Sequence, residues 1–171
     1  MDSRQKERQQ RGDDFQDEIR RSWTKIRSWR MRIADGKGGT RPADEIIILE
    51  AANILAEMKR TKGDKFEFTF LRPNQIKGLV EFDKLFDQNY GLVFVSFLNE
   101  DSGLDEAYAF RLVDGIKFME KMGRLHIKIG EFRAAADGAY RPFKALQLER
   151  MTIDGEPGYD LGGLLLCYKY L

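Results

Sequence analysis

The sequence predicts a mixed α/β or α+β domain built around one sheet. Two runs rich in β-branched and aromatic residues, EIIIL at 45–49 and YGLVFVSFL at 90–98, are apolar on both faces, as strands covered on both sides are. Segments with helical period alternate with such runs along the chain. The length, 171 residues with 42% hydrophobic and 33% charged, suits one domain with a real core.

Residues 1–12 are polar and lack apolar periodicity, so they are expected to form a flexible basic arm, with 13–171 as a single domain. From Asp13 a helix is expected. Phe15, Ile19, Trp23 and Ile26 make one apolar stripe, with Arg20, Arg21, Lys25 and Arg27 off it, and the pattern stops near Ala34. ADGKGGTRPAD then reads as a loop. Residues 45–49 form the first strand. ILAEMKR, 54–60, is the second, alternating Leu55, Glu57 and Lys59 on one face with Ala56 and Met58 on the other. The composition of LEAANILAEMKR suits a helix as well.

FEFTF, 66–70, reads as a strand. Pro73 opens a helix with Ile76, Leu79, Val80 and Phe86 on its buried side. The strand at 90–98 is followed by its neighbour at 105–112, by helices over 113–122 and 128–136, and by a strand over 144–151. DLGGLLLCYKYL at the end is an apolar helix or strand. There is no internal repeat and no Gly-rich phosphate loop, so no nucleotide cofactor is expected.

No apolar run approaches the roughly 20 residues that span a membrane. The first residues have no apolar core of a secretory signal. One cysteine, Cys167, leaves no internal disulfide and excludes a four-cysteine zinc site, which suits a reducing, cytoplasmic setting. Cys167 and the single histidine, His126, both sit among apolar residues and read as structural. The net charge of +1 conceals an asymmetry: residues 1–41 sum to +5 and the remainder to −4. A basic front end points to an anionic partner.

The chemistry-bearing residues are Asp44, Glu57 and Lys59. Phosphodiester hydrolysis needs a cation that neutralises the phosphate and acidifies a water, and Mg²⁺ takes one or two carboxylates for that purpose. A two-residue turn at Ala51-Ala52 would pair Glu50 with Asn53, set Asp44 opposite Lys59 and Ile46 opposite Glu57, and gather all three polar side chains on one face. Asp44 and Glu57 would hold the metal, and Lys59 would orient the water or stabilise phosphate charge.

This hairpin resembles the active-site hairpin of the RecU and archaeal Hjc Holliday-junction resolvases, members of the PD-(D/E)XK class. Their pattern runs Arg/Lys-Gly, a helix, Ser/Thr shortly before an Asp, then Glu-x-Lys. Here that is Arg11-Gly12, Thr40 in GTRPAD44, and Glu57-Met58-Lys59. FTFLRPNQIKGL and YGLVFVSFLN resemble the stretches that follow, with Gln75 as the helix glutamine.

The resemblance implies a restriction-endonuclease-like α/β fold, a central mixed sheet flanked by helices. It implies metal-dependent cleavage of four-way DNA junctions by a homodimer, with Mg²⁺ or Mn²⁺ as cofactor. It places Asp44, Glu57 and Met58 in the metal set, Lys59 as catalytic lysine, Thr40 as an active-site hydroxyl and Gln75 near the metal. Arg11, Arg20, Arg21, Lys25 and Arg41 are the expected DNA contacts, in the cytoplasm of a bacterial, archaeal or phage-infected cell. Where the family has a first-helix Glu this chain has Gln16, so Asp17 or Glu18 replaces it or the site works with one carboxylate fewer. The long RecU insertion is also missing, which makes the layout closer to the compact archaeal type or a phage version. The alternatives are a PD-(D/E)XK nuclease for another DNA substrate and a non-catalytic DNA-binding accessory protein.

Overall fold

The computed structural model describes residues 3–34, 41–138 and 143–171. In chain order the elements are α1 (Ser3–Ser22), β1 (Trp29–Arg32), β2 (Glu45–Ile48), β3 (Asn53–Thr61), β4 (Lys65–Glu67), α2 (Pro73–Leu85), β5 (Asn89–Asn99) and β6 (Leu104–Arg111). There follow α3 (Leu112–Met122), β7 (His126–Lys128), α4 (Ile129–Asp137), β8 (Ala145–Gln147), β9 (Arg150–Ile153), β10 (Glu156–Tyr159) and α5 (Cys167–Tyr170). Six strands form one mixed sheet in the order β1-β2-β3-β5-β6-β8. Only β3 and β5 run parallel, because α2 carries the chain back between them. The expected class, a central mixed sheet flanked by helices, is therefore the observed one. Among the described residues no helix is long and apolar enough to cross a membrane.

The central strands are apolar on both faces because both faces are covered. On one, Phe15 and Ile19 of α1 and Trp23, just after its end, pack with Ile47, Ile54, Ala56, Met58 and Phe94. On the other, Leu79 of α2 packs with Leu55, Val93 and Val95, beside an aromatic cluster of Phe97, Tyr108, Phe110 and Phe132. Two glycines let α2 sit close. A Cβ on Gly91 of β5 would lie 2.2 Å from the Leu79 carbonyl oxygen, and one on Gly78 would lie 2.4 Å from Pro42 Cβ. Pro42 belongs to the loop that leads into β2, so α2 is wedged between that loop and the sheet.

Several expectations are corrected. The helix of residue 13 onward begins at Ser3. Residues 3–12 lack an apolar stripe but consist largely of strong helix formers, with Glu7–Arg11 and Gln10–Asp14 pairs one turn apart. That helix also stops at Ser22, well short of Ala34. Ser22 Oγ donates to the Glu18 carbonyl and accepts from Tyr159 N–H, and the chain then turns into β1. Of 66–70 only the first two residues are strand; Phe68–Phe70 is a 3₁₀ turn. Phe86 lies just past α2 in extended backbone and is 61% exposed, so it is not on the buried side. Residues 144–151 divide between β8, which pairs with β6, and β9, which folds back on β10 through a turn with positive φ at Asp154 and Gly155.

Candidate metal centre

The β2–β3 hairpin is a strand pair, which settles the helix-or-strand ambiguity of 49–60. Its register pairs Glu45 with Ala56 and Ile48 with Asn53. The turn is Glu50-Ala51, one residue earlier than expected, and the Leu49 N–H donates to the Ala52 carbonyl across it. Continued outward, this register sets Asp44 opposite Glu57 instead of Lys59. A slip of two residues preserves faces, so Asp44, Glu57 and Lys59 still share one side, the α2 side.

Asp44 and Glu57 are 1% and 0% exposed. Asp44 Oδ2 accepts from the Met58 N–H at 2.8 Å, and Arg41 NH2 lies 2.8 Å from Oδ1. Glu57 Oε1 is 2.6 Å from Lys59 Nζ and accepts from Gln75 Nε2 at 2.6 Å. Glu57 Oε2 is buried with no hydrogen-bond partner among the described residues. Burial pushes the Glu57 carboxyl up to about 7, with the Asp44 charge adding to the rise and Lys59 opposing it. No third Asp, Glu, His or Cys among the described residues completes a larger ligand cluster.

α2 supplies the support. Gln75, in its first turn, uses both ends of its amide: Oε1 accepts from the Arg72 N–H and Nε2 holds Glu57. Asn74 Nδ2 donates to the Arg41 carbonyl, tying the loop before Asp44 to the same turn. Nothing in the sequence pattern marks Asn74 or Gly78 as part of this assembly, because their role exists only once α2 meets the loop.

The remaining expected residues scatter. Thr40 lies outside the described residues. The Met58 thioether is buried in the α1-side core, and only its main chain reaches Asp44. Arg11 lines a cavity of about 650 Å³ beside Lys59, with Thr61, Lys62, Gly63 and Phe70. Gln16 accepts from Arg20, and Asp17 pairs with Arg20 near solvent. Glu18 is on the opposite face of the sheet, bound to Arg60 at 2.5 Å and Arg150 at 2.8 Å, so it is not the missing third carboxylate of the Asp44–Glu57 pair. Arg21 donates to the Pro157 carbonyl and Lys25 pairs with Asp154. Arg41 is a partner of Asp44 as well as a basic group near the surface.

No protein-family model matches the chain, and no curated protein matches it by sequence. Among solved structures it is similar to Hjc of Archaeoglobus fulgidus, a Holliday junction resolvase from an archaeal hyperthermophile, at 16% identity and a TM-score of 0.47, covering 70% of this chain and 89% of that one. A likeness of this size assigns no activity.

Proposed function

We propose that the chain is a metal-dependent DNA endonuclease centred on Asp44, Glu57 and Lys59, and that its substrate is a four-way junction. The observation that carries this reading is the buried carboxylate pair with Glu57 Oε2 left unpartnered. Burying two like charges side by side is costly, and stability alone gives no reason for it. The donor set fits Mg²⁺ or Mn²⁺: two carboxylates, joined by the Met58 carbonyl, which strand geometry turns to the same side as the N–H that meets Asp44. When bound there, the cation would neutralise phosphate charge and acidify a water. Gln75 and Met58 N–H fix the two carboxylates. Lys59, 24% exposed, reaches from Glu57 toward solvent, where a phosphate oxygen would lie.

The junction as substrate rests on the resemblance of the hairpin motifs and on the basic first 41 residues. Paired cuts across a two-fold junction need two such centres, hence a homodimer. Labelled four-way DNA beside duplex of the same sequence tests the reading, each with Mg²⁺ and with excess EDTA. Metal-dependent nicking of the junction is expected. Equal cutting in EDTA overturns the metal role, and cutting confined to duplex makes the chain a nuclease of another DNA. One observation favours the non-catalytic reading: neither Gln16 nor Glu18 contributes a third charge. No cutting of any DNA with either metal would establish it.

A further inference from the structure

The edge strand β1 presents Trp29 and Met31 to solvent, 57% and 52% exposed. Its register pairs Trp29 with Ile48 and Met31 with Ile46, and the Ile33 N–H donates to the Asp44 carbonyl. Opposed residues share a face, so Trp29 and Met31 form one row on the face that carries Asp44 and Glu57. α2 covers that face over β3 and β5 and leaves the β1 end open. Four residues along a strand put Trp29 about 13 Å from the level of Asp44, or roughly four stacked base steps.

Charge says what would cover the row. From Ile19 to Ala34 the chain has Arg20, Arg21, Lys25, Arg27, Arg30 and Arg32 and no acidic residue. Arg20, Arg21, Lys25 and Arg30 have partners within the protein. Arg27 is exposed and forms no ion pair among the described residues; Arg32 is exposed too, but it alternates to the other face of the sheet, opposite Glu45. An exposed indole beside the uncommitted Arg27 guanidinium matches a strand of unstacked nucleotides: the ring takes a base and the cation takes a phosphate. A second copy of this chain would set its own basic stretch against this one.

We propose that Trp29, with Met31 beside it, is a stacking platform for an unpaired base of the bound DNA, and that Arg27 holds the adjoining phosphate. The choice of DNA as ligand rests on the nuclease reading above. The platform gives that reading a means of substrate choice: a continuous duplex keeps its bases stacked and cannot use Trp29, whereas a branch point offers an open base a few steps from the cut.

The protein has two tryptophans, and Trp23 is 1% exposed, so quenching by a ligand reports Trp29 while Trp23 reports folding. Emission is titrated in EDTA with a single-stranded oligonucleotide of about 20 nucleotides and with duplex of the same sequence. Single-strand DNA should quench the wild type and duplex should not. W29A should bind the single strand about tenfold more weakly, with duplex affinity within about twofold, and W29F should restore most of the loss. Equal quenching by both DNAs, or W29A binding the single strand like wild type, overturns the platform. So does W29A turning a dimer into a monomer by light scattering, which would assign the row to a second copy. Quenching without Mg²⁺-dependent cutting would sink the nuclease reading and keep the platform; cutting without quenching would do the reverse.

Discussion

β3 holds two charged arrangements three residues apart, on opposite faces. On the α1 face, Arg60 is 2% exposed and binds Glu18, which also takes Arg150, while Arg150 reaches on to Asp105. The Arg60 guanidinium lies over Phe15, and Arg150 lies over Tyr159. Charges there are balanced and tie α1, β3 and the β9–β10 ribbon together. On the α2 face, Glu57 has one cation and one amide on a single oxygen, a bare second oxygen and Asp44 alongside. The first arrangement is closed and complete. The second also sets two cations, Arg41 and Lys59, against its two carboxylates, but it leaves Glu57 Oε2 buried without a partner among the described residues. Burial of a carboxylate does not by itself mark function; burial with an oxygen left unpartnered beside a second carboxylate does.

The two faces should therefore separate activity from stability under mutation. D44N or E57A should lower junction cleavage by about a thousandfold or more, the several kcal/mol a bound cation supplies, while DNA affinity measured in EDTA stays near wild type. R60A should do the opposite, costing about 3 kcal/mol in urea unfolding because it removes the buried cation of Glu18 and leaves it Arg150 alone, with cleavage per folded molecule little changed. A cleavage loss in R60A as large as in E57A would end the distinction.

Acidity sharpens the same contrast. The Glu57 carboxyl is raised in the fold to about 7, against an ordinary value of 4.5. Between those values the folded state holds more protons than the unfolded one, so stability of the metal-free protein falls as pH rises from about 4.5 to 7. The loss should approach about 3–4 kcal/mol above pH 7, at about 1.4 kcal/mol per pKa unit. E57Q should flatten that slope in thermal melts taken from about pH 5 to pH 8. Mg²⁺ should raise the wild-type melting temperature more at the alkaline end of that range, where Glu57 is ionised, than at the acid end. A melting temperature indifferent to Mg²⁺ at the alkaline end would leave the open carboxylate without a cation to explain it.

The parts legible in the sequence are those set by local pattern. EIIIL, YGLVFVSFL and DEAYAFRL announce buried strands, and Pro73 announces a helix start. Glu57 and Lys59 share a face in any strand, so the polar side of the hairpin survives a turn placed one residue late. What escapes is set by partners distant in sequence. β1 reads as helix because Trp23 and Ile26 extend the stripe of Phe15 and Ile19, although Trp29, Met31 and Ile33 alternate with Arg30 and Arg32 as a strand does. Glu18 fits a metal site by proximity to Gln16, yet α1 packs on the face of the sheet opposite Asp44 and Glu57, where Glu18 binds Arg60 and Arg150. Arg41 is legible as basic but not as the partner of Asp44.

The smallest effect concerns Gly78, the contact between α2 and the loop bearing Asp44. In G78A two stability terms oppose each other. Alanine favours an interior helical position over glycine by about 1 kcal/mol. The new Cβ would fall 2.4 Å from Pro42 Cβ and 3.1 Å from the Pro42 carbonyl oxygen, and overpacking of that kind costs about 1–3 kcal/mol. The net change in unfolding free energy should stay within about 1–2 kcal/mol. The contact is relieved by moving the loop, since α2 is backed by the close approach of Leu79 to Gly91 and cannot retreat. Pro42 precedes Asp44 by two residues, so a shift of part of an ångström passes to the carboxylate and alters its bond to Met58 N–H. Misplacement on that scale costs about tenfold or more in rate. G78A should thus lose cleavage out of proportion to stability, with DNA affinity in EDTA unchanged. Wild-type cleavage in a well-folded G78A would show that the loop, and with it Asp44, is positioned by Arg41, Asn74 and Met58 without the wedge of α2.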